Sequence, residues 1–369
     1  MTIYRPVHQS LAERVMCLHD EIKRDLPGVN RVAIAIYDPR TDIVKSFLHS
    51  SEGDSPFEHT VARLADLKPL AELARTGARR VIHDLEIHPT TTPAHNRRLV
   101  KAGYRSSYTV PMFNKGTFHG FLFFNSFEPG YFSQPVVHRL RPLAEVVALT
   151  AVMELDAVRM IQAAVKTVRQ ISHVRDEETG SHLERMARYA RLIALRLAPR
   201  QGLTDEWVEL LFQFAPLHDV GKIAVPDHIL FKPGRLSPEE FAVMRNHVAR
   251  GVEIVDVMAS TFRIADAGYV RILRNVVAHH HECIDGTGYP NGLAGNGISL
   301  EGRIAAVADV FDALTSNRPY KNAWSNQDAL DYLAAEAGRK FDADAVEILR
   351  SSGAAIHDIQ SQFAECDFD

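Results

Sequence analysis

His280-His281-Glu282 runs into Cys283-Ile284-Asp285 and then into the turn Gly286-Thr287-Gly288-Tyr289-Pro290. Two adjacent imidazoles beside a carboxylate are metal-ligand types, and the glycines and proline after them shape backbone rather than fill a core. Further donors are scattered along the chain. His218-Asp219 follows directly on the apolar run Leu210 to Leu217. An imidazole and a carboxylate buried there need full hydrogen bonding or a cation, because an uncompensated buried charge is expensive. Gly221 lets the backbone turn sharply beside them, and Lys222 returns a positive charge. Asp309 and Asp312 stand three apart in the apolar run Ile304 to Leu314, so burial demands partners for both. Glu178 and His182, four apart, point the same way if their segment is helical, although such pairs are common on solvated helices. His247 would ordinarily be dismissed and gains weight from lying between two ligand clusters. A nitrogen-and-oxygen donor set without thiolate suits iron or manganese and does not exclude zinc or nickel.

These donors need helices to hold them. Ser237-Pro238-Glu239-Glu240 has capping-box spacing with proline at the tolerated first position, and the helix it opens is expected to carry His247. His280 and His281 cannot share one face of a regular helix, so they serve adjacent metals or sit where a helix ends. His279 makes a run of three, and spacing leaves open which is the bystander.

Upstream, Leu11, Val15, Leu18 and Ile22 repeat at helical spacing. Val32 to Tyr37, between turn signals, reads as a strand, and Ser107 to Met112 with Gly120 to Asn125 reads as a hairpin around Asn114-Lys115-Gly116. Leu67 to Thr76 and His95 to Ala102 read as short helices. This order, with Ile82-His83-Asp84-Leu85 and Tyr104-Arg105-Ser106-Ser107, resembles a GAF sensory domain. The resemblance implies an antiparallel sheet with helices on its faces, a small ligand or a dimer contact. Asn114-Lys115 lacks the Phe-Asp-Glu remainder of the cyclic-nucleotide signature, and Cys17 is not placed for a bilin. His83, His88, His95 and His119 suggest a haem or metal less readily than ordinary hydrogen-bonded loop histidines.

Leu143 to Ser172 contains neither Gly nor Pro, which predicts a long connecting helix with Pro142 in its first turn. Val158, Ile161, Val165 and Val168 form a seam of about two heptads. Pairing with a second copy and packing on the same chain both satisfy it.

At 369 residues with 46% hydrophobic and 24% charged side chains, the chain reads as a globular protein too long for one core. A net charge of −4 gives no footprint for a nucleic-acid polymer. Cys17, Cys283 and Cys366 are odd in number and far apart, which fits a reducing compartment. Neither a signal peptide nor a membrane span is legible, and a cytoplasmic location is expected. The expected domains are residues 1–140, a connecting helix over 141–173, and residues 174–369.

His218-Asp219-Val220-Gly221-Lys222, Lys232-Pro233-Gly234, His280-His281-Glu282 through Tyr289-Pro290, and Asp309 to Ser316 with Arg318-Pro319-Tyr320-Lys321 together resemble an HD-GYP domain. The resemblance spans roughly residues 155–350. It implies an all-α bundle that hydrolyses cyclic di-GMP to pGpG and then GMP, joined here to an α+β GAF-like domain that regulates it and supports a homodimer. It assigns metal ligation to His182, His218, Asp219, His247, His280, His281 and Asp309, with Glu178 as the extra carboxylate of three-metal members, so two or three iron ions are expected, three being favoured, with manganese as an alternative. On the reaction that the resemblance implies, Asp219 would bridge two metals and Lys222 would stabilise charge or assist the departing alkoxide. By the same resemblance, Tyr289 and Pro290 are expected to shape the substrate-side loop, and Arg318 and Lys321 to reach phosphate or guanine groups. Ser299 stands where the family has proline, and Gly302 where it has alanine. The stretch from His247 to His280 is longer than usual. Another cyclic dinucleotide, a mononucleotide phosphohydrolase, and a catalytically weak nucleotide-responsive adaptor are the competing readings.

Overall fold

The computed structural model describes residues 10–53, 55–86, 94–171, 180–262, 268–317 and 322–364. They fall into two units, residues 1–157 with 204–206, and residues 158–203 with 207–369.

The first unit opens with α1 (Leu11–Asp25), started by a capping box in which Ser10 and Glu13 satisfy each other's backbone N–H. Its sheet comprises β1 (Arg31–Asp38), β2 (Ile43–Ser51), β3 (Val61–Arg63), β4 (Arg80–Ile82), β5 (Ser106–Asn114) and β6 (Thr117–Ser126). The order is β3-β2-β1-β6-β5-β4, with every pairing antiparallel. The expected strand over Val32 to Tyr37 and the expected hairpin are β1 and the β5–β6 pair. Sequence pattern missed β2. A bulge between Ile34 and Ala35 of the β1–β2 register skips Phe47 and interrupts the period-two alternation that would have marked the strand.

One face of the sheet, including Val32, Ile34, Tyr108, Val110, Leu122 and Phe124, packs with α1 and the first half of α4 (described below). The other face is covered by α2 (Lys68–Thr76), over Val44 and Phe121, and by Leu99 of α3 (Ala94–Lys101), beside Ile82. This is the α+β architecture implied by the GAF resemblance.

The long helix α4 runs Gln134–Ile171 and begins earlier than expected, so Pro142 lies inside it rather than in its first turn. Proline removes one ladder hydrogen bond there. Leu140, Ala144 and Val147, buried around it, hold the helix by packing instead. For the first half of the seam, packing on the same chain is the arrangement found. Val158 and Ile161 are buried in a cluster with Leu210, Phe214 and Leu273 of their own chain, and the side chains of Val165 and Val168 lie outside those described.

The described elements of the second unit are helices: α5 (Gly180–Gln201), α6 (Asp205–Phe214, whose first two residues fall in the first unit), α7 (Asp227–Leu230), α8 (Pro238–Arg245), α9 (His247–Thr261), α10 (Gly268–His279), α11 (Leu300–Thr315), α12 (Asn326–Ala335), α13 (Ala343–Arg350) and α14 (Gly353–Gln362). Its main core joins α5, α6, α11, α12 and α13 around Tyr189, Leu211, Phe311 and Leu349. Glu178, Arg318, Lys321 and His88 lie outside the described residues. Among the described residues, no helix is long and apolar enough to cross a membrane.

Candidate metal centre

Every ligand in the centre sits at or near the end of an element, except Asp309. His182 is in the first turn of α5. His218 and Asp219 lie between two 3-10 turns, Ala215–Leu217 and Val220–Ala224, that follow α6. Ser237 and Glu240 form the expected capping box, but α8 stops at Arg245 and His247 opens a new helix instead of riding on α8. The reason is local. His247 Nδ1 donates to the Met244 carbonyl at 2.8 Å, and Asn246 N closes on the Val243 carbonyl, a tight three-residue turn. His280 and His281 follow the last residue of α10, so the helix-end alternative holds and both imidazoles turn to the same place.

Two groups of donors result. Asp219, His247, His280 and His281 form one, and His182, His218 and Asp309 the other, with one ligand atom of each member within 4.8 Å of the rest of its group. Asp219 faces both. Its Oδ1 lies 3.0 Å from His247 Nε2 and 3.4 Å from His280 Nε2, while its Oδ2 lies 3.1 Å from His218 Nε2 and 2.7 Å from Lys222 Nζ. Asp309 Oδ1 stands 3.7 Å from His182 Nε2 and 3.8 Å from His218 Nε2.

The tautomers explain why such a cluster suits a cation. Nδ1 of His218, His247 and His280 donates to the carbonyls of Ala215, Met244 and Val277 at 3.0, 2.8 and 3.0 Å. Each neutral ring therefore presents an Nε2 lone pair inward, toward an acceptor-only carboxylate. Lone pairs at that distance from an ionised oxygen repel unless the rings protonate or a cation lies among them. Burial opposes protonation: it lowers the His280 pKa and drives that of His281 far down. Asp219 stays ionised. Burial alone would raise its carboxyl, but the Lys222 ammonium beside it leads the groups that outweigh burial and hold it well below the usual range. The donors therefore fit metal ions on either side of Asp219.

Supporting residues complete the site. Asp312, fully buried, accepts from His182 Nδ1 at 2.7 Å and from the Arg185 fork at 2.7 and 2.9 Å, and Ser316 donates to it at 3.1 Å. Sequence reading asked for a partner for Asp312 and did not find Arg185. The i, i+3 step from Asp309 was the available signal. Gly221 is required because a Cβ there would stand 1.9 Å from the His247 carbonyl, so the turn carrying Asp219 touches the start of α9 directly. Glu282 is a loop brace, accepting from the backbone N–H of Asn291 and Leu293 at 2.8 and 2.9 Å. It holds the segment in which Tyr289 stacks on His281, with centroids 4.6 Å apart, and Pro290 is exposed. His279 is the bystander. Its Nδ1 meets Ser299 Oγ at 2.9 Å, Ser299 caps α11, and a Cβ on Gly302 would stand 2.4 Å from the His279 Cβ. The two departures from the family pattern thus fit each other.

Of the histidines in the first unit, His83 is exposed and His119 is buried 4.0 Å from Asp156. Among the described residues, both metal-capable groups lie in the second unit.

A helical unit that gathers histidines and aspartates from distant elements around one shared carboxylate defines a metal-binding helical domain. Residues 171–345 match the HD domain family. The cyclic di-GMP phosphodiesterase response regulator RpfG of Xanthomonas campestris pv. campestris is 47% identical over 190 residues, covering 52% of this chain and 47% of that protein. The 3'3'-cGAMP-specific phosphodiesterase 2 of Vibrio cholerae is 43% identical over 175 residues, covering 47% of this chain and 31% of that protein. A cyclic di-GMP phosphodiesterase of Vibrio cholerae is 40% identical over 217 residues, covering 56% and 44%. The chain thus spans less than half the length of these relatives. The solved GAF domain/HD domain protein from Geobacter sulfurreducens aligns with a TM-score of 0.33 at 17% identity, over 40% of this chain and 96% of that one. So slight a likeness adds nothing to the sheet order above.

Proposed function

We propose that the chain is a metal-dependent phosphodiesterase that hydrolyses cyclic di-GMP to pGpG and then to GMP, regulated by its N-terminal unit. The observation that carries this reading is the division of the Asp219 carboxylate between two donor groups, one oxygen toward His247 and His280 and the other toward His218. Relatives matched over the same region are named for cyclic di-GMP hydrolysis.

His182, His218 and Asp309 would hold one ion, and His247, His280 and His281 another, with Asp219 between them. Bound there, the ions supply Lewis acidity, which makes water nucleophilic at neutral pH and offsets charge on phosphoryl oxygens. Iron is the favoured metal for this donor set and manganese the alternative. A third ion requires Glu178. Lys222 brings a cation to the departing oxygen and is itself held on Asp219. Tyr289, backed by His281, walls the substrate side together with Pro290, and the family resemblance assigns phosphate or guanine contacts to Arg318 and Lys321.

A homodimer is supported by Val146, Leu149, Met153 and Met160, exposed apolar side chains spaced three, four and seven apart along α4. Free thiols at Cys17 and Cys283 agree with a cytoplasmic setting. A second reading, hydrolysis of another cyclic dinucleotide, is favoured by the relative named for 3'3'-cGAMP.

The test is anaerobic purification, iron loading, elemental analysis, and chromatography after incubation with cyclic di-GMP, 3'3'-cGAMP and mononucleotides. Appearance of pGpG is the expected result. Two bound ions with untouched cyclic di-GMP would sink the reading, and consumption of 3'3'-cGAMP alone would replace it with the second.

A further inference from the structure

The end of α14 reaches the residues that orient His182. Ile356 docks this helix in the main core, and Gln360 exchanges hydrogen bonds with Asn326 of α12 at 2.9 and 2.8 Å, a reciprocal amide pair that fixes its rotation. The helix closes on Phe363, whose N–H donates to the Ile359 carbonyl at 3.0 Å. Both α14 and Phe363 lie beyond the stretch that matches the HD domain family.

Phe363 meets α5 twice. Its carbonyl accepts from Arg185 Nη1 at 3.0 Å, and the Arg188 guanidinium lies 4.2 Å from the centroid of its ring. Arg185 and Arg188 are three apart on α5, which sets their side chains next to each other. The ring face attracts the Arg188 cation, and that contact seats the carbonyl under Arg185.

Arg185 is buried, and its remaining printed contacts run inward to the metal centre. Nε and Nη2 donate to the two Asp312 oxygens at 2.7 and 2.9 Å, and Nη2 also donates to Ser316 Oγ at 2.6 Å. Asp312 accepts from His182 Nδ1 at 2.7 Å, while His182 Nε2 stands 3.7 Å from Asp309. A guanidinium is a rigid plane, so an acceptor on Nη1 sets the direction of the fork on its other edge. The carbonyl of residue 363 thus governs how Arg185 presents Asp312, and through Asp312 the tilt of the His182 ring. Without it a buried N–H loses this acceptor and the fork can turn.

We propose that Phe363 is a positioning residue for the His182 group, and that the end of α14 acts as a strap on that group alone. The inference rests on the reading that His182, His218 and Asp309 hold an ion. His247 and His280, in the other group, are oriented by the carbonyls of Met244 and Val277, which α14 does not supply. Loosening the strap therefore reaches one ion and spares the other.

Manganese(II) titrated calorimetrically into the metal-stripped full chain tests this, with His182→Ala identifying the binding step that belongs to its group. Phe363→Ala is expected to weaken that step about tenfold, the lower end of the range for a lost outer-shell partner, and to leave the other step unchanged. Phe363→Tyr keeps the ring and is expected to restore the affinity. Added to Asp312→Asn, Phe363→Ala should weaken the step no further, because both act through one chain of contacts. Melting curves check each variant, and if Phe363→Ala does not fold, Asn326→Ala, which breaks the amide pair docking α14, takes its place with the same expectations. Both steps unchanged in a folded variant, equal loss at both, or full additivity with Asp312→Asn overturns the proposal. A native chain with no step sensitive to His182→Ala overturns the metal reading itself, and the proposal with it.

Discussion

The Asp312 carboxylate holds Nδ1 of His182 at 2.7 Å while the Arg185 fork and Ser316 hold Asp312. His218, His247 and His280 take backbone carbonyls in the same role. His182 is therefore oriented by a side-chain network, and its group is open to a point substitution that leaves the other group intact. Asp312→Asn is expected to weaken metal affinity at the His182 group about 10–100-fold, the usual effect of removing an outer-shell partner. Elemental analysis and a metal-binding isotherm on the folded variant should show one ion lost and one kept. Equal loss at both groups would refute this independence.

Asp219→Ala removes the carboxylate that both groups share. Turnover is expected to fall by about 10²–10³ or more, in line with loss of a central electrostatic group. Product chromatography measures it, and a variant retaining two ions and wild-type turnover contradicts the bridging role.

Gly221→Ala forces a methyl group to within 1.9 Å of the His247 carbonyl, and backbone cannot yield as a flexible side chain would. We expect a loss of about 1–3 kcal/mol, the range for overpacking, together with weaker metal binding because Asp219 and His247 are pushed apart. Chemical denaturation paired with metal analysis checks both effects. A stable variant with a full metal complement would show that the contact relaxes.

Glu282→Ala strips the acceptors from two backbone N–H groups in the loop that carries Tyr289. The ligands themselves are untouched, so KM for the cyclic dinucleotide should rise while the metal count holds. Steady-state kinetics beside elemental analysis separates the two, and a lost ion with unchanged KM would place Glu282 in the metal site after all.

His19 gives the first unit a pH dependence. The ring is buried between Ser50 Oγ at 2.7 Å and the Val29 carbonyl at 2.9 Å, and burial lowers its pKa against the pull of the Val29 contact. The folded state thus prefers the neutral ring. Its contribution is present above the unfolded value of about 6.5 and is lost as pH falls toward the lower folded value. Melting temperatures from pH 8 to pH 5 should fall less steeply for His19→Gln than for the native chain. Parallel slopes would show that His19 does not titrate with unfolding.

Much of this protein was legible before folding was considered. The capping boxes, the β5–β6 hairpin and the motifs around His218, His280 and Asp309 are local, and local rules of period, turn and burial read them. The seven candidate donors that the family resemblance assigns are the seven that the fold gathers into two groups. Other features depend on what lies opposite. The bulge in β2 hid a strand, Val158 and Ile161 found partners inside their own chain, and His247 began a helix because its own side chain capped the one before. Only the tertiary structure divided the donors into two groups, turned His280 and His281 to the same one, and retired His279 to a contact with Ser299. Composition names the atoms able to bind a cation; distance and tautomer decide which of them do, and both arise from contacts between residues far apart in the chain.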